Sequence, residues 1–263
     1  MLRAVYQNRS LIRQMIQREV TGRYRGSILG ITWSFFQPLL MLAVYTFVFS
    51  VVMQTSWRGD GGDGKVNFAI VLFSGLIVHS LFAESVNRAP TLILSNVNLV
   101  KRVVFPLEIL SVVAVGVALF NFLVGLVILL AAMILSGLSF HLTALYLPLI
   151  VIPLVLVTLA ITWFLAAMGV YLRDLCHVVM VMTTVLLFLS PVFYSISAVP
   201  EQVRKYIYLN PLSFVIEQVR AVLIWGVAPE WTGVLIYWGI SLLAAWLGFY
   251  LFQWSRKGFS DVL

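Results

Sequence analysis

Charge is scarce in this chain. Charged residues make up only 10% of it, against roughly 25% in a soluble domain. That shortage excludes a water-exposed globule. Cysteine is scarcer still: Cys176 is alone, which excludes an intramolecular disulfide and a multi-cysteine metal site. The three histidines form no cluster with carboxylates at metal-ligand spacing, so no metal is expected. No serine–histidine or paired-carboxylate arrangement stands out within the apolar runs, which weighs against an enzyme. The first thirty residues hold no short apolar core followed by a small-residue cleavage site, so no cleavable leader is expected.

What fills the chain instead is apolar sequence. Hydrophobic residues reach 62% and the mean hydropathy is +1.02. A helix that crosses a bilayer needs about 20 mostly apolar residues. Six runs meet that length, at 29–53, 66–84, 107–135, 143–172, 177–195 and 232–252, and predict an all-α integral membrane fold in one transmembrane domain. Residues 191–225 fit no span. They contain Pro191, Pro200 and Pro211, and their last apolar stretch is short and carries Glu217 and Arg220. Broken backbone at membrane depth needs protein or water around it. This region reads as a pair of short re-entrant helices, or else as a surface loop with one amphipathic helix.

Six spans put both termini on one side. If that side is the cytoplasm, twelve of the seventeen Lys and Arg residues lie inside, including Arg9, Arg13, Arg18, Arg23, Arg25, Arg88, Lys101 and Arg102. Arg58, Lys65, Arg204, Lys205 and Arg220 fall outside. That bias satisfies the positive-inside rule. The net charge of +7 is thereby explained by topology, and nucleic-acid binding is unnecessary.

Two segments are not mere spans. In residues 1–28, Leu11, Ile12, Met15 and Ile16 recur at helical spacing with Gln14, Gln17 and Arg18 opposite. This predicts an amphipathic arm along the cytoplasmic membrane surface. Residues 88–106 are too long for a turn and too apolar for a solvated loop. Leu92, Ile93, Leu99, Val100, Val103, Val104 and Phe105 need a surface, beside Lys101 and Arg102. Docking onto a partner protein is the expectation, with packing on the chain's own helices as the alternative. Glu84 and Arg88, four apart, are expected to pair along one helix.

One motif misleads. Gly59-Asp60-Gly61-Gly62-Asp63-Gly64-Lys65-Val66 imitates a phosphate-binding loop. Val66 stands where a hydroxyl must ligate magnesium, Asp60 and Asp63 would repel phosphates, and no strand precedes it. It reads as a polar outer turn, and the chain shows no nucleotide site of its own.

Four stretches carry a family resemblance. Residues 18–39 (Arg-Glu-Val-Thr-Gly-Arg-Tyr-Arg through Trp33-Ser-Phe-Phe-Gln-Pro-Leu39) and residues 98–110 (Asn98-Leu-Val-Lys-Arg-Val-Val-Phe-Pro-Leu-Glu-Ile-Leu110) are specific; Tyr171-Leu-Arg-Asp174 and Tyr208-Leu-Asn-Pro211 follow in order. Together they resemble the ABC-2-type permeases that export bacterial polysaccharides such as O-antigen, capsule and teichoic acid. The resemblance implies an inner-membrane homodimer with both termini in the cytoplasm. It implies a separate ATPase subunit in two copies, which binds the ATP and magnesium, while this chain binds no cofactor. The arm becomes an interface helix, and 191–225 becomes a periplasmic gate. ATPase coupling would fall to Arg18, Glu19, Arg23 and Arg25 on the arm. It would fall also to Ser95, Asn96, Asn98, Leu99, Lys101, Arg102, Phe105 and Pro106 after span two. Trp33, Phe36, Tyr45, Phe49, Phe188, Phe193 and Tyr194 become candidates to line the path of a lipid-linked polysaccharide. An ABC-2-type exporter of drugs or small lipids would share the fold and stands as the alternative.

Overall fold

The computed structural model describes residues 2–53, 68–100 and 105–259. The glycine-rich turn at 59–66 and Lys101, Arg102, Val103 and Val104 lie outside them. All regular structure among the described residues is helical. Helices α1 (Leu2–Gln7) and α2 (Arg9–Arg23) form the arm. Helix α3 (Trp33–Tyr45) runs on into a π-helical turn at Thr46–Val52. Helix α4 (Phe68–Arg88) is followed by 3-10 turns at Ala89–Thr91 and Leu94–Asn96 and by the one-turn α5 (Val97–Val100). The rest of the bundle is α6 (Glu108–Leu135), α7 (Leu147–Tyr171), α8 (Leu175–Leu189), α9 (Glu201–Tyr208), α10 (Pro211–Arg220) and α11 (Trp231–Arg256).

Among the described residues, five segments are long and apolar enough to cross a membrane, at Gly30–Phe49, Phe68–Thr91, Glu108–Leu135, Leu142–Tyr171 and Trp231–Arg256. The bent pair α9–α10, with its π-helical end at Trp225 and a 97° angle between its arms, raises the number to six. The apolar run at 177–195 looks like one span in sequence. Its helix α8 stops at Leu189 after 15 residues, about 22 Å, short of the roughly 30 Å hydrocarbon core. The stop is local chemistry. Ser190 precedes Pro191, takes an extended conformation (φ −85°, ψ 150°) and cannot continue the helix.

Polar side chains shape the far end of the bundle. Asn210 caps α10 by accepting from the Leu212 N–H at 3.0 Å and donates to the Ser190 hydroxyl at 2.8 Å. Pro211 sits at the first helical position, where its missing N–H costs nothing. The bend between α9 and α10 is thus written in Asn210-Pro211. Arg220 then locks the bent pair inward. It is 1% exposed and donates to the carbonyls of Pro191 at 2.6 Å, Val192 at 3.0 Å and Val71 at 3.3 Å, and to Glu217 at 3.0 Å. The sequence places Arg220 among the outer charges and names no partner for it. Its four acceptors come partly from α4 and from the turn after α8, contacts that residue spacing does not reveal.

Helix–helix contacts rest on small residues, as they must where no hydrophobic force separates helix from lipid. A Cβ on Gly248 of α11 would lie 2.6 Å from the Ala160 carbonyl oxygen of α7. Gly169 of α7 presses still more closely on the Pro90 backbone. Inside α7, Pro153 lacks the N–H that would bond Leu149. Trp238 of α11 supplies the replacement, its indole N–H reaching the Leu149 carbonyl at 3.0 Å. Helix α4 lies at the centre, with 78% of its span buried, whereas only 6% of the span containing α3 is buried.

Candidate functional site

The arm is positioned by its apolar stripe. Ile12 and Val20 are buried and Met15 and Ile16 half-buried, four faces of the same helix side. Ile12 packs with Ile109 and Val113 of α6. Ile16 lies over Gly116, a turn further along α6, where any Cβ would collide with its side-chain tip. The arm therefore runs beside the first turns of α6. Its other side exposes Arg9, Arg13, Gln14, Gln17 and Arg18.

Charges then tie the arm to α4. Arg23 donates to Glu84 at 2.6 Å. Glu19 accepts both terminal nitrogens of Arg88. Each helix carries a carboxylate and a guanidinium four residues apart, and the two helices exchange partners. The pairing of Glu84 with Arg88 along α4, expected from spacing, is not the one that forms. An intrahelical pair in water gives only about 0.3–0.5 kcal/mol. The crossed pairs leave bulk water in part, with Glu84 22% and Arg88 32% exposed, and Glu84 gains a second partner. Asn121 of α6 donates its amide to both Glu84 oxygens, at 3.0 and 2.7 Å. Partial burial opposes the charge on Arg23, but the hydrogen bond and the charge of Glu84 outweigh it and raise the guanidinium pKa.

A third ion pair closes the same end. Arg256, at the end of α11, donates to Glu108 at 3.0 Å and to the Phe105 carbonyl at 3.1 Å. Trp163 of α7 donates to the Glu108 carbonyl at 3.0 Å. Phe105 and Pro106 are thereby held at the foot of α6, both half-buried.

The segment after α4 corrects one expectation. Leu92 and Ile93, read as material for a partner, are 5% and 0% exposed and sit in the chain's own core with Leu107, Leu110 and Trp163. Leu99 and Phe105 pack half-buried against that core. Ser95 and Asn98 face outward. Asn96 is fixed by its amide on the Leu92 carbonyl at 2.9 Å. Among the described residues the exposed side chains of the segment are polar, because Leu92 and Ile93 are consumed in seating it.

Between arm and segment lies a cleft of about 620 Å³. Arg18, Glu19, Arg23, Asn96 and Leu99, drawn from both predicted groups, line it together with Met15, Gly22 and Arg88. Arg25 is exposed outside the cleft, beyond the end of α2. Sequence reasoning missed Asn121 and Arg256. A lone asparagine within the apolar run 107–135 was the available signal.

The candidate path residues form separate clusters. Trp33 donates its indole N–H to Ser27 at 2.9 Å and meets Phe36 edge-on at 5.4 Å. Phe49 lies against Phe68 at 4.9 Å. Phe188, exposed, stacks on Phe193 at 5.6 Å, and the Tyr194 hydroxyl donates to the Phe188 carbonyl at 3.3 Å. Among the described residues no ring contact joins the α3 group to the α8 group. No group of three His, Cys, Asp or Glu residues among them could hold a metal ion.

Residues 10–224 match the family model described as ABC-2 type transporter. The chain belongs to the ABC-2 type transporter family. The match opens inside the arm and closes at the π-helical end of the bent pair, so cleft and bend both fall within the ABC-2 segment. Among curated proteins, the chain is 29% identical to the O-antigen export system permease protein RfbA of Myxococcus xanthus, over 99% of this chain and 98% of that one. It is 25% identical to the O-antigen export system permease protein RfbA of Klebsiella pneumoniae, over 94% and 92%. It is 22% identical to the polysialic acid transport protein KpsM of Escherichia coli, over 92% of each chain.

Proposed function

We propose that this chain is the permease subunit of an ATP-driven exporter that carries a lipid-linked polysaccharide, O-antigen-like or capsular, across the bacterial inner membrane. The observation that carries the reading is the cleft. Two segments separated by some seventy residues meet at one end of an ABC-2 bundle and leave a concave, charged surface there. In this reading that end faces the cytosol, together with both termini. A separate ATPase in two copies docks there and holds the ATP and magnesium, while this chain binds no cofactor and supplies no catalytic residue.

The arm lies along the inner membrane surface, with Arg9 and Arg13 directed to anionic headgroups. Closure of the ATPase dimer pushes on the cleft. The stripe on α6 and the crossed pairs on α4 pass that push to two spans as packed units. Arg18, Glu19 and Arg23 on one wall and Asn96 and Leu99 on the other make the contact, with Arg25, Ser95 and Asn98 exposed beside the cleft. Phe105 and Pro106 relay it to α6.

A second copy of the chain completes the path. The apolar faces of α3 and α8 are the most exposed in the bundle, and a homodimer covers them. Trp33, Phe36, Tyr45, Phe49, Phe188, Phe193 and Tyr194 then offer flat ring faces to sugars along a hydrated route. The lipid anchor stays in the bilayer at a lateral opening between spans. The bent pair α9–α10 gates the periplasmic exit. Deleting the gene in a producing cell tests this. Polymer trapped in the cytoplasm supports it, and normal surface glycan refutes it.

A further inference from the structure

A second cavity, of about 550 Å³, lies inside the bundle between α3, α4 and α6. Its volume is that of a ligand site, about 300–1,000 Å³. Its chemistry is graded along its length. Arg23, Tyr24, Gln37, Glu84 and Asn121 line the end nearest the arm. Met41, Phe73 and Ile77 line it further along α3 and α4. Phe73 stands eleven residues before Glu84 on α4, about 16 Å away along the helix.

Three features mark this cavity as built for an amphiphile. Gln37 and Ser80 are exposed polar side chains within apolar spans and bond to no other described residue, yet both line it. Polar groups at such depth are costly in hydrocarbon unless something polar meets them. Ser80 and Ala83 are small where bulky residues would fill the space. The charged floor holds one guanidinium and one carboxylate side by side.

The floor selects the head group. A phosphate alone would meet Arg23 but be repelled by Glu84. A quaternary ammonium could not donate hydrogen bonds to the carboxylate. A head group with a phosphate and a primary ammonium can join the Arg23–Glu84 pair, the phosphate beside the guanidinium and the ammonium beside the carboxylate. We propose that this cavity binds one zwitterionic phospholipid of the phosphatidylethanolamine class, its head on Arg23 and Glu84, one acyl chain running toward Phe73. The cavity is partly open, so the second chain stays in the surrounding bilayer. Because the lipid rests on Arg23, it braces the arm against α4.

Native mass spectrometry of the purified full chain tests this, after exchange in mixed micelles of phosphatidylethanolamine, phosphatidylglycerol and phosphatidylcholine. Expected is one phosphatidylethanolamine retained per chain in preference to the other two. Ser80→Phe, which fills the cavity, should weaken retention about tenfold, equivalent to about 1.4 kcal/mol. Val127→Phe, on the exposed face of α6, should leave it unchanged. If Ser80→Phe does not fold, the head-group preference of the natural chain decides alone. Equal retention of the three lipids, an unaffected Ser80→Phe, or a polyprenyl phosphate found in place of the phospholipid would overturn the proposal. The readout counts lipid and not transport, so its failure leaves the export reading standing, and the reverse.

Discussion

Arg23 and Glu84 are 61 residues apart in the chain and 2.6 Å apart in space. With Glu19 and Arg88 they form a square of charge in which each helix holds one carboxylate and one guanidinium. The square joins the arm to the central span at the point where that span turns into the segment after it. These side chains join the arm to α4 directly.

The square makes a reciprocal prediction. Arg23→Glu and Glu84→Arg should each lower export or coupled ATP hydrolysis, since each places like charges face to face. The double exchange should recover part of the loss, with a coupling energy of about 1 kcal/mol. Recovery should be incomplete, because Asn121 donates to a carboxylate and would meet a guanidinium. A double-mutant cycle on transport rate checks this; additive losses would show that the pair carries no coupling.

Two glycines should differ in tolerance. An added Cβ on Gly116 meets only the flexible tip of Ile16, while one on Gly169 meets the Pro90 backbone. Gly169→Ala should therefore destabilise the protein by about 1–3 kcal/mol, and Gly116→Ala by clearly less. Thermal unfolding in detergent measures the order. Gly116→Leu should instead displace the arm and reduce function with little change in melting.

Arg220 is the most deeply buried charged residue among the described residues. Arg220→Met removes a donor to three backbone carbonyls and leaves them buried, at about 1–3 kcal/mol for each unsatisfied group. The variant should melt markedly lower than Arg204→Met, whose arginine lies half-buried on α9. Equal melting of the two would contradict the locking role of Arg220.

Much of this was legible in sequence, and the limits have physical causes. The long apolar runs and the stripe through Ile12, Met15 and Ile16 are periodic signals, and they became spans and a seated arm. The partners of Glu84 were not legible. The spacing of four suits an intrahelical pair both from Glu84 to Arg88 and from Glu19 to Arg23, and the same four charges can equally pair across the two helices. Only the placement of α2 beside α4 decides between them. The end of α8 was hidden because the apolar run continues through Val192 and Phe193, while the backbone turns at Ser190-Pro191. Leu92 and Ile93 signalled a need for burial but not whose surface would provide it. Of the candidate coupling residues, five gathered in the cleft, and Lys101 and Arg102 fall outside the described residues.

The most direct test of the account is co-purification from a producing cell, followed by an ATP-hydrolysis assay with and without lipid-linked polysaccharide. The account predicts that this chain brings down a separate ATPase, and that the glycolipid raises its hydrolysis rate. A chain that moves the polymer with no second protein present would contradict it.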